Sequence, residues 1–283
     1  MKNRTCYHFI CVAVMLASVF ASVNAVATDK NAPLNRSTAS ASSTAAESKK
    51  SEQEYYELRT YRIENAEKQK IVSTYLENAL LPALGRINID RVGVFTLMDK
   101  KDDHSIFVLI PYPSMKTVTD LSNTLAIDKA YQKAAKDYFS QPLKSPAYKR
   151  IESRFMKAFA GMPTIEIPAQ TKAKKQRMFE LRTYESHNED AAYRKVDMFN
   201  SGEIQVMRDV KLGPVFFGEM IIGDNVPNLT YMLSADNMDA HKSHWKGFLS
   251  HPEWNRMKKI EKYKGIVSKI TKWYLVPTAY SQL

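Results

Sequence analysis

The chain states one five-residue phrase twice. Glu57-Leu58-Arg59-Thr60-Tyr61 recurs as Glu180-Leu181-Arg182-Thr183-Tyr184, 123 positions later, and an aromatic residue, Tyr56 or Phe179, precedes each copy. So close a recurrence, heading two segments of about equal length, reads as a tandem of two similar units. In a strand successive side chains point to opposite faces, which divides the phrase in two. Tyr56, Leu58 and Thr60, with Phe179, Leu181 and Thr183, make a mainly apolar face. Glu57, Arg59 and Tyr61, with Glu180, Arg182 and Tyr184, make a polar one.

A length of 283 residues allows one large domain or two ordinary ones, and the repeat decides for two. Residues 1–25 stand apart. Lys2 and Arg4 precede a nearly all-apolar run from Phe9 to Val23, and Val23-Asn24-Ala25 offers the small residues that signal peptidase accepts. The run is short for a membrane span, so a cleaved secretory signal is expected, giving a secreted or periplasmic protein. Cys6 and Cys11 both lie in that segment, which leaves the mature chain without disulfides or thiol chemistry. The formal charge of +11, less Lys2 and Arg4, leaves +9. The excess is scattered among acids, as in Lys258-Lys259-Ile260-Glu261-Lys262. It reads as a solvated basic surface, with no nucleic-acid partner and no membrane contact beyond the signal segment.

Residues 26–53, rich in Ala, Ser and Thr, are expected to be a disordered linker. The first domain, 54–165, then opens on a strand at Tyr55–Arg62. An apolar 3.6-residue rhythm from Glu64 to Leu84 predicts a helix, ended or kinked by Pro82. Strands are expected at Arg91–Met98 and Ser105–Pro111, helices from Pro113 to Phe139, and a closing strand within Tyr148–Phe159. A lysine-rich linker, 166–176, leads to the second domain, 177–283. Its strands are expected at Met178–Glu185, Val215–Ile222, Leu229–Ser234 and Ile266–Val276, with helices over Glu189–Met207, Met238–Leu249 and Pro252–Tyr263. Each unit is therefore β-α-β-β-α-β, a ferredoxin-like order in an α+β protein.

With Y-E-L-R-T-Y, V-G-V-F and I-F-V-L-I-P-Y in the first unit, and F-E-L-R-T-Y, V-F-F-G-E, N-L-T-Y-M and His244-Trp245 in the second, the chain resembles the NIPSNAP domain family. The resemblance runs from about Tyr55 to the C-terminus. It implies the dimeric α+β barrel, here with two ferredoxin-like repeats pairing as a pseudo-dimer within one chain. It implies no settled activity. Relatives sharing only the barrel include small monooxygenases and haem enzymes, an analogy of fold alone.

In such a barrel one sheet face packs on helices and the other meets the partner sheet. The apolar face suits the helices, so Glu57, Arg59, Tyr61, Glu180, Arg182 and Tyr184 are expected to point inward. Two readings stay open. Glutamate and arginine two apart can form an ion pair that fixes register, or the guanidinium can receive a ligand's carboxylate beside a tyrosine. Recurrence of the pair in both units favours the first. His241-x-x-His244 could ligate a metal only with further ligands, and the first unit has no histidines at the matching place. Neither metal nor cofactor is expected, and Trp245, Phe248 and Trp254 read as core. No phosphate-binding, nucleophile-elbow or zinc-protease motif occurs. The expected function is a small-ligand-binding or interaction module, with room for self-association. The candidate ligand-binding residues are Glu57, Arg59, Tyr61, Glu180, Arg182, Tyr184, His244 and Trp245. The alternative is a cofactor-independent monooxygenase-like barrel enzyme, with His244 or an inward carboxylate as base. Whether the barrel is hollow separates these readings.

Overall fold

A computed structural model describes residues 52–173 and 175–283. The signal segment at 1–25 and nearly all of the 26–53 linker lie outside the described residues. Among the described residues there are eight strands: β1 (Tyr55–Arg62), β2 (Gly93–Leu97), β3 (Ile106–Tyr112), β4 (Arg150–Ala158), β5 (Met178–Glu185), β6 (Pro214–Ile222), β7 (Asn228–Ala235) and β8 (Lys269–Pro277). They close into one barrel in the order β1-β3-β2-β8-β5-β7-β6-β4, and every neighbouring pair is antiparallel. A step of four places along that ring carries β1 to β5, β2 to β6, β3 to β7 and β4 to β8. The two halves meet where β4 pairs with β6 and β2 with β8.

The connecting helices repeat as well. Asn65 caps α1 (Ala66–Tyr75) by accepting from the Lys68 amide, and Asn188 caps α7 (Glu189–Met198) by accepting from the Ala191 amide. Each continues through one π-helical turn, Leu76–Leu80 or Phe199–Glu203, into α2 (Leu81–Gly85) or α8 (Ile204–Asp209). The expected break at Pro82 is thus a wide turn just ahead of it. Pro82 sits in the first turn of α2, where its missing amide costs little. Helices α3 (Met115–Ile127), α4 (Lys129–Ala134) and α5 (Lys136–Phe139) complete the first half, and α6 (Ala169–Lys172) lies between the halves. In the second half α9 (Met238–Ser250) and α10 (Pro252–Met257) follow β7.

The facing of the repeated strand is the reverse of the expectation. Tyr56 and Leu58 of β1 join Phe179 and Leu181 of β5 in one cluster with Phe95, Phe107, Phe216 and Met232, drawn from both halves. This cluster is the barrel interior. The rings of Phe95 and Phe179 meet at 4.8 Å between centroids, and those of Tyr56 and Phe216 at 5.1 Å. Eight strands leave a bore just wide enough for side chains, and water-free space of that width has no means of solvating four charges. The apolar faces therefore meet inside, and the interior is packed rather than hollow. Glu57, Arg59, Tyr61, Glu180, Arg182 and Tyr184 point outward, to the seam between sheet and helices. At one mouth Arg154 forms a two-point ion pair with Asp224, both contacts at 2.9 Å.

Candidate functional site

The identical phrase builds two different sites. In the first half Glu57 accepts Arg59 Nε at 2.6 Å and Nη2 at 2.8 Å. It also accepts the Tyr112 hydroxyl at 2.8 Å and the Ser153 hydroxyl at 2.6 Å. These donors follow from register, since Ser153 on β4 stands opposite Arg59, and Tyr112 ends β3 opposite Tyr55. Burial pushes the Glu57 carboxyl up, but Arg59 and the two hydroxyls outweigh it and hold it below the ordinary carboxylate range. The carboxylate is saturated and the guanidinium fork is closed on it. Beside this pair a cleft of about 510 Å³ is walled by tyrosines. Tyr75 and Tyr138 stack there at 3.9 Å.

At the corresponding places of the second half both hydroxyl donors are missing. Lys272 stands opposite Arg182, and Ala235 opposite Met178. Glu180, 1% exposed, is served instead by helix α9. Trp245 Nε1 donates to it at 2.9 Å, and His241 Nε2 lies 3.0 Å away. Burial pushes Glu180 up, while His241 and Arg182 draw it below the usual range. With Glu180 so occupied, Arg182 Nη1 stays 3.7 Å off, and Arg182 Nε is buried with no hydrogen-bond partner. Its guanidinium lies 4.3 Å from the Trp245 ring centroid and 5.3 Å from that of Tyr184.

This guanidinium lines a cleft of about 660 Å³, whose wall combines the aromatic rings of Tyr184, Trp245, Phe248, Trp254 and Tyr274 with charged side chains. Tyr231 donates its hydroxyl to Tyr184 at 2.8 Å, and burial raises Tyr184 to about 12. Deeper, the Lys195 ammonium pairs with Glu203 at 2.6 Å, the two side chains only 4% and 2% exposed. Burial pushes the Glu203 carboxyl up against the pull of Lys195.

Of the expected residues, Glu180, Arg182, Tyr184 and Trp245 converge on this cleft, and Arg59 and Tyr61 line the first. His244 does not line the cleft, whereas His241 does. Trp245 shares a helix face with the residue four before it, not with its neighbour, and that spacing pointed to His241. Lys195 and Glu203 were missed. They stand 123 positions after Val72 and Leu80, so laying one half of the sequence on the other exposes two charges at apolar positions.

An α+β, closed, eight-stranded antiparallel barrel bearing these outer clefts defines the class of protein. Residues 179–282 match the family model NIPSNAP, and this part of the chain is a NIPSNAP domain. No curated protein sequence matches the chain. Among solved structures, a candidate monooxygenase from Lactobacillus acidophilus is 12% identical, with 80% of this chain and 94% of that one covered at a TM-score of 0.52. A second candidate monooxygenase, from Fusobacterium nucleatum, is 8% identical over 80% and 93% of the two chains, TM-score 0.49. An uncharacterised NIPSNAP-like domain protein from Burkholderia xenovorans is 16% identical over 38% of this chain and 89% of that one, TM-score 0.34. At such identities the likeness to the first is one of fold.

Proposed function

We propose that the protein binds a small anionic ligand, a carboxylate on an aromatic or otherwise flat apolar body, in the cleft of the second half. The observation that carries this is the contrast between two arginines in the same phrase. Arg59 closes on Glu57, while Arg182 is left with an unpartnered Nε because Glu180 is taken by Trp245 and His241. A buried polar group without a partner is costly, and a carboxylate matches the guanidinium fork in two hydrogen bonds. The Trp245 and Tyr184 rings give the body of the ligand its surface. On this reading the chain is two NIPSNAP-like domains, 54–165 and 177–283, joined by 166–176 as a pseudo-dimer of ferredoxin-like repeats. The first supplies a structural copy of the site and the second the working one. Secretion through the 1–25 segment is part of the same proposal, and N-terminal sequencing that returned Met1 on native material would end it.

The test is thermal stabilisation by benzoate. Ligand at a hundred times Kd adds about 2.7 kcal/mol, roughly 5–10 °C for a unit of this size. Arg182→Leu should abolish the shift and Arg59→Leu should retain it. A shift that survives Arg182→Leu refutes the assignment. The second reading, a barrel monooxygenase, draws on the fold shared with the L. acidophilus protein. It would use the same cleft, with His241 rather than His244 nearest the bound ligand. Oxygen consumption with phenolic acids, lost in His241→Ala, would support it.

A further inference from the structure

The Lys195–Glu203 pair is peculiar to the second half. Its equivalents in the first half, 123 positions earlier, are Val72 and Leu80, both 0% exposed. They sit in the same sequence of helix, π-helical turn and helix. The scaffold is therefore complete with two apolar side chains at these places. Replacing them with a buried ion pair adds a desolvation cost that a hydrophobic pair avoids. The pair is also not sealed in the core, since both residues line the cleft that holds Arg182. Lys195 Nζ sits 4.4 Å from the Phe199 ring centroid and 5.5 Å from that of Tyr184. Arg182 is 5.3 Å from the same Tyr184 ring, so the two cationic groups are no more than about 11 Å apart.

We infer that Lys195 and Glu203 form a second polar anchor in this cleft, and that the ligand is an aromatic acid carrying a hydroxyl at the end opposite its carboxylate. The pair has no net charge, so it is not a second anion site. It offers an ammonium that donates and a carboxylate that accepts, the complement of a hydroxyl, which does both. With a hydrogen bond of about 2.9 Å at either end, that upper bound leaves room between the anchors for one aromatic ring at most. This rests on the reading of Arg182 as the carboxylate anchor, and the probes below separate the two.

The experiment is calorimetric titration of the full chain with benzoate, 4-hydroxybenzoate and phenol. The wild type should bind 4-hydroxybenzoate about tenfold or more tightly than benzoate. The variant Lys195→Val/Glu203→Leu installs the first half's own residues. It should melt at or above the wild-type temperature, and its affinity for 4-hydroxybenzoate should fall to that for benzoate. Equal binding of the two acids by the wild type, or discrimination retained in the double variant, overturns this inference and leaves Arg182 as the anchor. A double variant that melts well below the wild type also overturns it, because the pair is then scaffold. Phenol binding without any benzoate binding overturns the Arg182 reading instead, and binding of none of the three overturns both.

Discussion

Arg59→Leu and Arg182→Leu remove the same residue from the same phrase, yet the structure assigns them different costs. Arg59→Leu strands Glu57, whose side chain is 13% exposed and which loses both guanidinium contacts. Breaking a buried pair costs about 3–5 kcal/mol. Tyr112 and Ser153 still donate to the carboxylate, which places this case near 3 kcal/mol. Arg182→Leu leaves Glu180 with both Trp245 and His241. What goes is an attraction across 3.7 Å and the stacking on Trp245, together about 1 kcal/mol, and leucine covers part of the exposed ring. In a compact unit of this size, each kcal/mol moves Tm by roughly 2–4 °C. Arg59→Leu should therefore melt roughly 6–12 °C below the wild type, and Arg182→Leu no more than roughly 2–4 °C below. Differential scanning calorimetry without ligand reads both. Equal losses, or a larger loss for Arg182→Leu, would show that the second arginine is scaffold and refute the asymmetry.

Other outcomes follow from the same geometry. Trp245→Phe keeps the ring beneath Arg182 but removes one donor from Glu180, letting that carboxylate turn to the guanidinium, and benzoate affinity by calorimetry should drop about tenfold. Glu57, with its folded pKa depressed, contributes stability that is present above the unfolded value of about 4.3 and is lost as pH falls through the folded one. Glu57→Gln should consequently flatten the acid limb of a Tm–pH curve below about pH 4, and an unchanged slope would count against the assigned pair. Leu58→Ala empties a fully buried interior position and should cost about 2–5 kcal/mol in urea denaturation. A loss below about 1 kcal/mol would contradict a packed bore.

Much of the fold was legible because the strands alternate and the helices carry their caps. β1 and β5 run over the residues that alternation predicts, Tyr55–Arg62 and Met178–Glu185. β8 begins at Lys269 rather than Ile266, because Ile266 packs among Ala191, Met257 and Tyr263 before the ladder with Glu185 starts. Which strand face turns inward was not legible from alternation. The deciding fact is the width of the bore, a property of eight strands together rather than of any one. The site was half legible. E-L-R-T-Y supplied the arginine, but its chemistry is set by residues distant in sequence, Ser153 against Lys272 and Tyr112 against Ala235. Only the register brings those into comparison.

The central claim is that Arg182 is held for an anion over the Trp245 ring, and a crystal of the protein soaked in benzoate tests it most directly. The account predicts electron density for the acid in the second-half cleft. Its carboxylate should lie within hydrogen-bond distance of Arg182 Nε and one terminal nitrogen, at about 2.8 Å, with Glu180 still bound by Trp245 and His241. Density for the acid elsewhere, or an Arg182 that closes on Glu180 as Arg59 closes on Glu57, would contradict it.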